Sequence, residues 1–91
     1  MSIENIDIKE ATIIDVRTPG EFMMGNVEGS INIPLDEVSS RVEEFKIMQG
    51  NVVLCCASGG RSGQATTFLQ QNGLSSVYNG GGWQTVDLLM K

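Results

Sequence analysis

Apolar runs alternate with amphipathic stretches along the whole chain, and polar residues or glycines separate them. Runs rich in β-branched residues predict strands at 11–16, 51–56 and 75–79. A brief extended piece is predicted at 31–33, where Pro34 closes it. The run at 51–56, NVVLCC, is apolar on both faces, which is typical of a central strand in a parallel sheet.

The first amphipathic stretch carries a helix-start signal. Thr18 can cap a helix, Pro19 suits its first position, and Glu21 lies three residues after the cap. Gly25 and Asn26 follow closely, so we expect this helix to be short.

Periodic apolar positions predict three further helices. Asp36 caps the second helix, Ser62 begins the third, and Gly73 stops it. The last helix follows the glycines at 80–82. The positions expected to face the core are Val38, Val42 and Phe45 in the second helix, Ala65, Phe68 and Leu69 in the third, and Trp83, Val86 and Met90 in the last.

Strands and helices alternate throughout, which predicts βαβ units. The expected fold class is therefore α/β and doubly wound, with a mainly parallel sheet and helices on both faces. Ligands bind at the carboxyl ends of the strands in such folds, and Cys55 and Cys56 lie at that end of the predicted central strand. A chain of 91 residues suffices for one small domain and not for two, so we expect a single domain over 1–91.

Composition and charge mainly exclude certain classes of partner and location. The chain has 11 acidic and 6 basic residues, a net charge of -5, and no basic cluster. That balance argues against a nucleic-acid or anionic-membrane partner. No stretch approaches the roughly 20 apolar residues of a membrane span, and the start lacks the basic and apolar regions of a signal peptide. We therefore expect a cytoplasmic protein.

The two cysteines are adjacent, and their spacing excludes several roles. A disulfide framework would be spread through the chain, and a thioredoxin-type dithiol would have the C-x-x-C spacing. The chain has no histidine and no second cysteine pair, so neither a zinc site nor another cofactor is predicted. Either one of the thiols is reactive, or both cysteines are small buried hydrophobes.

The loop after Cys56 favours a reactive thiol. The residues that precede Ser62 are small enough to let the backbone curl: Ala57, Ser58, Gly59 and Gly60. A curled loop at a helix N-terminus directs N–H groups inward and favours an anion. Helix-terminus effects of about 0.3–1 kcal/mol, and up to about 2, lower a thiol pKa from about 8.5 to about 7. A thiolate can therefore form without a histidine base.

Three segments resemble the rhodanese-like sulfurtransferase family. The segment Cys56-Ala57-Ser58-Gly59-Gly60-Arg61-Ser62 resembles its C-x-x-G-x-R-S active-site loop. The segments IIDVRTPGEFMMGNVEGSINIPL at 13–35 and VYNGGGWQ at 77–84 resemble its first signature and its closing stretch. The resemblance implies a rhodanese-like domain with four or five mainly parallel strands and a shortened N-terminal edge.

The resemblance also implies a ping-pong sulfur transfer through a Cys56 persulfide. The donor is a small molecule such as thiosulfate or a persulfide, and the acceptor is cyanide or a thiol, which includes protein thiols. Backbone amides of residues 57–62 would hold the outer sulfur, with the Ser58 and Ser62 hydroxyls as extra donors. Asn26 stands where the family usually has histidine, a position we interpret as structural.

Two other readings remain open at this stage. A phosphatase-like or arsenate-reductase-like loop has the pattern C-x5-R, which Cys55 and Arg61 satisfy. The glycine position and the shorter loop from Cys56 favour sulfur over a tetrahedral oxyanion. The alternative from another class is an inactive binding or regulatory module in which Cys56 is only a buried small residue.

Structural roles are also expected for the charged residues near the loop and for Cys55. Alternation along a strand directs Cys55 into the opposite, helix-packed face, so we expect it in the core. Arg61 either positions anionic substrates or braces the loop through a carboxylate. Asp15 and Arg17 are expected to form ion pairs that support the site, with Glu21 as a partner of Arg17.

Overall fold

The computed structural model describes residues 3–91 of the chain, so Met1 and Ser2 of the predicted domain lie outside the described residues. Within that range, the strands are β1 (Thr12–Asp15), β2 (Ile31–Asn32), β3 (Val52–Cys56) and β4 (Val77–Gly82). They form a sheet in the order β2-β1-β3-β4, and all neighbouring strands are parallel. The predicted α/β class with a parallel sheet is confirmed, with β1 and β3 at its centre.

The first four helices lie between successive strands, and the fifth follows β4. They are α1 (Pro19–Met23), α2 (Leu35–Val38), α3 (Val42–Lys46), α4 (Gly60–Gln71) and α5 (Trp83–Met90). Short 3₁₀ turns occur at Ile3–Asn5, Ile8–Glu10 and Ser39–Arg41. No helix within residues 3–91 is both long enough and apolar enough to cross a membrane.

Apolar side chains pack on both faces of the sheet, as predicted for a doubly wound fold. One layer joins α2, α3 and α4 to the sheet and includes Ile14, Leu54, Cys56, Phe45, Ala65 and Leu69. The other joins α5 and the N-terminal turns to the sheet and includes Ile13, Val53, Cys55 and Val86. The partly buried Trp83 and Met90 pack against this second layer, as their periodicity predicts. Consecutive residues of β3 thus serve opposite layers.

The start of α1 follows the predicted capping box. The Thr18 hydroxyl accepts a hydrogen bond from the Glu21 N–H at 3.3 Å, and the Glu21 carboxylate accepts one from the Thr18 N–H at 3.1 Å. These two bonds satisfy backbone donors that the helix itself leaves unpaired.

The second predicted helix differs from the expectation. It begins at Leu35 after Pro34, so Asp36 lies in the first turn of α2 and is not the N-cap. Pro34 has a φ of -57°, which sets the backbone for a helix start without a side-chain cap. The helix is also interrupted after Val38, where the Ser40 hydroxyl donates to the Glu37 carbonyl at 3.0 Å and offers the backbone an alternative to the helical bond.

The boundaries near the cysteine loop differ as well. Helix α4 begins at Gly60, two residues before the predicted start at Ser62. Strand β4 runs over Val77–Gly82 and not over 75–79, because glycines allow it to approach its neighbours closely. A Cβ at Gly80 would lie 2.7 Å from Val53 Cγ1 and 2.9 Å from Val86 Cγ2.

Candidate active site

The two cysteines end β3 and face opposite sides of the sheet. Cys56 belongs to the layer beneath α4, and Cys55 belongs to the layer beneath α5. Both thiols are free and buried, with 1% and 0% of their surfaces exposed. Their orientations agree with the alternation expected along a strand.

Three donors lie within hydrogen-bonding distance of the Cys56 sulfur. They are the Gly59 N–H at 3.0 Å, the Ser62 N–H at 3.4 Å and the Ser62 hydroxyl at 3.4 Å. The Ser62 N–H is available because it lies in the first turn of α4, where N–H groups have no partner within the helix. The loop therefore curls around this sulfur as the sequence predicts.

Gly59 gives the loop its curl. Its φ is +102°, in the left-handed region that favours glycine, and it is the N-cap of α4. A Cβ at this position would lie 3.2 Å from Gly81 Cα, so a larger residue would require β4 to shift by a few tenths of an ångström.

The environment of Cys56 stabilises its thiolate. Burial alone would raise the pKa of the Cys56 thiol. The Ser62 hydroxyl and N–H, followed by the N–H groups of Ser58 and Gly59, outweigh burial and lower the pKa to about 7. This direction and size agree with the helix-terminus argument made from the sequence.

Cys55 has the opposite electrostatic environment. Burial, together with the negative charge of Asp15, raises the pKa of the Cys55 thiol to about 12. The thiol consequently stays protonated near neutral pH. This agrees with the expectation that Cys55 is a core residue.

The remaining predicted loop residues surround the sulfur to different degrees. Ala57, Ser58 and Gly60 are exposed, Arg61 is partly buried, and Ser62 is fully buried. The Ala57 carbonyl lies 3.0 Å from where a Cβ of Gly82 would be, so a glycine in β4 is needed for the loop to close. The loop thus has an open outer rim and a buried inner end.

Arg61 forms a two-pronged ion pair with Glu21. Its Nη1 and Nη2 donate to the two carboxylate oxygens at 2.7 and 3.0 Å. Arg61, with the Thr18 N–H, lowers the pKa of the Glu21 carboxyl to about 2, and Glu21 in turn raises the pKa of Arg61. Of the two readings left open by the sequence, the structure contains the contact that braces the loop against α1.

Arg17 does not pair with the Glu21 carboxylate, so that expectation is wrong. Its Nη2 and Nε donate to the Asp15 carboxylate at 2.7 and 3.0 Å, and the pair is buried. The guanidinium also donates to the carbonyls of Glu21 and Gly25 and lies 4.8 Å from the centre of the Trp83 ring. Arg17 is drawn inward by Asp15, which leaves the Glu21 carboxylate for Arg61.

Asn26 ends the α1 segment. Its side-chain amide is exposed and donates to the Phe22 carbonyl at 2.9 Å, a carbonyl in the last turn of that short helix. This contact fits the structural reading of the position.

The sequence reasoning assigned no role to Asn79. Its amide lies at the edge of the loop, where its Oδ1 is 2.6 Å from Ser62 Oγ and its Nδ2 donates to the Gly59 carbonyl at 3.2 Å. The sequence feature that could have indicated this role is the position of Asn79 in the last strand. A polar residue in β4 next to the carboxyl end of β3 must lie near the loop that follows β3.

A cleft of about 570 Å³ adjoins the loop between α2 and α4. Arg61 lies in its lining. The other walls combine apolar residues, among them Leu35, Val38 and Phe68, with the polar residues Thr18, Asp36, Ser39 and Gln64. The cleft therefore offers space beside the Arg61 end of the loop, and Cys56 is not among the residues that line it.

The fold and the loop define a class of α/β proteins that hold a cysteine thiolate at the carboxyl edge of a parallel sheet. Comparison with known proteins identifies the family, because residues 3–86 match the Rhodanese-like domain. The chain therefore belongs to the rhodanese-like family.

Relatives and solved structures agree with this assignment. Thiosulfate sulfurtransferase PspE of Escherichia coli is 38% identical over 74 residues, which cover 80% of this chain and 71% of that protein. Bacillus subtilis YqhL is 39% identical over 71 residues, covering 78% of this chain but only 56% of YqhL. A structure of rhodanese with anions from E. coli has a TM-score of 0.74 at 37% identity, covering 82% of this chain and 89% of its own.

Proposed function

We propose that this protein is a sulfurtransferase that moves a sulfane sulfur from a donor to a thiophilic acceptor through a persulfide on Cys56. The observation that carries the proposal is the thiol itself, whose pKa is lowered to about 7 by the donors of the loop. Such a thiol is partly ionised at neutral pH, so a nucleophile is present without a separate base.

In the first half-reaction, the Cys56 thiolate attacks the outer sulfur of the donor. With thiosulfate, a new S–S bond forms on Cys56, the S–S bond of thiosulfate breaks, and sulfite leaves with the electron pair. With an organic persulfide R–S–SH, the leaving group is the thiolate R–S⁻. In either case the protein gains one sulfur atom.

In the second half-reaction, cyanide or a thiolate attacks the outer sulfur of the persulfide. The S–S bond on Cys56 breaks, thiocyanate or a new persulfide leaves, and the Cys56 thiolate is restored. We assign the retention of the outer sulfur to the backbone amides of the loop and to hydroxyls at its rim and inner end: Ala57, Ser58, Gly59, Gly60, Arg61 and Ser62. The exposed rim gives the acceptor an approach to that sulfur.

Two classes of donor are compatible with the site. The E. coli relative PspE is a thiosulfate sulfurtransferase by name, which supports thiosulfate as a donor. The Arg61 guanidinium is engaged by Glu21, so a sulfonate must compete with that carboxylate, whereas the adjoining cleft offers room for the organic part of a persulfide. The donor panel below therefore includes both classes.

Oxyanion chemistry from Cys55 is not proposed. The Cys55 thiol lies in the layer beneath α5, and its pKa is raised to about 12, so it is neither in the loop nor ionised. A cytoplasmic location is part of the proposal, because a reducing compartment keeps such a thiol available.

The proposal is tested by intact-mass spectrometry after incubation with thiosulfate and with a small organic persulfide. We expect a gain of one sulfur atom, which cyanide or a reductant removes. The gain should be lost in Cys56→Ser and retained in the matched control Cys55→Ser. A folded Cys56→Ser protein that still turns over, or a wild type that gains no sulfur from either donor, would contradict the proposed function.

A further inference from the structure

The Ser62 hydroxyl lies between two acceptors. Ser62 is fully buried, and its Oγ is 2.6 Å from Asn79 Oδ1 and 3.4 Å from Cys56 Sγ. A hydroxyl has a single hydrogen, so it cannot donate to both acceptors at once. Only one of the two acceptors can therefore receive that hydrogen at a time.

The orientation of the Asn79 amide is fixed by two backbone groups. Its Oδ1 accepts from the Gly81 N–H at 3.0 Å, and its Nδ2 donates to the Gly59 carbonyl at 3.2 Å. Exchanging the two amide atoms would set donor against donor and acceptor against acceptor. The atom that faces Ser62 is consequently an oxygen, and the contact of 2.6 Å requires the Ser62 hydrogen.

Two glycines and a register shift allow this contact. Strand β4 changes register against β3, so that Leu54 aligns with Asn79 while Cys55 aligns with Gly81. In α4, a Cβ at Gly63 would lie 3.1 Å from Asn79 Nδ2, so a glycine at this position leaves space for the Asn79 amide. The local backbone is thus shaped around the Asn79 side chain.

We propose that Asn79 is a positioning residue for Cys56: it accepts the Ser62 hydroxyl hydrogen while the sulfur is uncharged and releases it to the sulfur when the thiolate forms. An uncharged thiol is a weak acceptor, whereas a thiolate forms a charge-assisted hydrogen bond. Asn79 therefore stabilises the uncharged state, and it does so only through Ser62.

In the reaction proposed above, on which this role rests, the charge moves from Sγ to the outer sulfur when the persulfide forms. The Ser62 hydrogen then returns to Asn79, and the outer sulfur is left to the loop amides. Asn79 would thus couple the hydroxyl to the progress of the cycle without contacting the substrate.

Other titratable groups near the sulfur do not titrate in the same range. The pKa of Cys55, its neighbour on β3, is raised to about 12, and that of Arg61 on α4 is raised above its already high value. The pKa of Glu21 on α1, the partner of Arg61, is lowered to about 2. Asp15 and Arg17, which lie beside Cys55, form a buried ion pair with each other at 2.7 Å. A change in the Cys56 profile near pH 7 can therefore be read as a change at Cys56.

The test is the pH dependence of Cys56 alkylation in four proteins: wild type, Asn79→Leu, Ser62→Ala and the double variant. Leucine keeps the number and branching of the side-chain heavy atoms of asparagine while removing its amide. We expect the apparent pKa to fall by about half a pH unit in Asn79→Leu and to rise by a similar amount in Ser62→Ala. The double variant should match Ser62→Ala, because Asn79 has no effect without the hydroxyl. Asn72→Leu at the other end of α4 is the control and should leave the profile unchanged.

A rise of the pKa in Asn79→Leu, or an equal change with and without the Ser62 hydroxyl, would reduce Asn79 to a brace of the loop and overturn the proposal. If the leucine variant does not fold, the native protein decides through the NMR shift of the Asn79 carboxamide carbon. That shift should titrate with the midpoint of Cys56 alkylation, and a flat response would also overturn the proposal. Alkylation needs no sulfur donor, so a failure of the proposed function gives a different result: normal alkylation without sulfur gain.

Discussion

Cys55 and Cys56 are neighbours in one strand, equally buried, and chemically unlike. The pKa of Cys56 is lowered to about 7 and that of Cys55 is raised to about 12. Burial opposes ionisation at both positions and is the main influence on Cys55, whereas hydrogen-bond donors outweigh it at Cys56. N–H and hydroxyl donors face Cys56, whereas apolar side chains and a nearby carboxylate charge surround Cys55. Accessible area alone therefore does not indicate which cysteine can react.

The largest effect expected from this comparison is selective alkylation. In the native protein at pH 7, Cys56 should react with iodoacetamide at least about a thousandfold faster than Cys55, because its thiolate fraction is far larger. Peptide mapping by mass spectrometry after short exposures measures the two rates. In denaturant the two rates should converge. Comparable rates in the folded protein would show that the two thiols do not differ in ionisation as described.

The next effect concerns the curl of the loop. Gly59→Ala places a Cβ in a left-handed conformation and 3.2 Å from Gly81 Cα, so we expect a loss of about 1–2 kcal/mol in the free energy of unfolding and a higher Cys56 pKa. Urea unfolding and alkylation profiles measure the two quantities.

Gly73→Ala is the matched control for that variant. Gly73 has a φ of +93° and nothing within 4 Å of its would-be Cβ, so its replacement has the backbone cost but leaves the loop alone. Gly59→Ala should lose at least as much stability as Gly73→Ala, because it adds the close approach to Gly81, and only Gly59→Ala should alter Cys56. An unchanged Cys56 profile in Gly59→Ala would show that the donors of the loop do not depend on its curl.

A smaller effect is expected from the ion pair that braces the loop. The pKa of Glu21 is lowered from 4.5 to about 2 in the folded protein, so the carboxylate contributes stability above about pH 4.5. That contribution is lost as the pH falls from 4.5 towards 2. Glu21→Gln should therefore flatten the decline of stability across this window, as measured by thermal unfolding at several pH values.

The control for Glu21→Gln is Glu28→Gln, which removes one negative charge from an exposed position. It should keep the wild-type slope. If both variants give the same slope, the Arg61 contact makes no particular contribution to acid stability.

The smallest effect on the reactive sulfur is expected from changing the other cysteine. Cys55→Ala removes a buried sulfur from the layer beneath α5, which should cost about 1 kcal/mol in the free energy of unfolding. The alkylation profile of Cys56 should not move, because the two side chains serve different layers. A shift of that profile would mean that the layers are coupled through β3.

Local spacing accounts for the parts of the fold that the sequence predicts well. The capping box of Thr18 and Glu21 and the alternation of strands and helices depend on residues close together in the chain. The position and direction of Cys56 follow from the strand that precedes it. Each of these features can be read within a window of a few residues.

Pairing between distant segments accounts for what the sequence reasoning missed. The Arg61–Glu21 contact joins residues 40 positions apart, and Ser62–Asn79 joins residues 17 positions apart. Strand β4 continues through its glycines to Gly82, and at Gly80 it approaches Val53 and Val86 too closely for a Cβ. Such contacts are set by the tertiary packing, and no local pattern specifies them.

The packing of Trp83 provides a spectroscopic reporter for the α1 segment. The chain has one tryptophan, and its ring lies 4.8 Å from the Arg17 guanidinium and 3.0 Å from where a Cβ of Gly25 would be. Intrinsic fluorescence excited at the red edge of the protein spectrum therefore originates from a single indole that touches both ends of that segment. Any change in the packing of α1 and its preceding turn against α5 should therefore change the tryptophan emission, and no added label is needed to detect it.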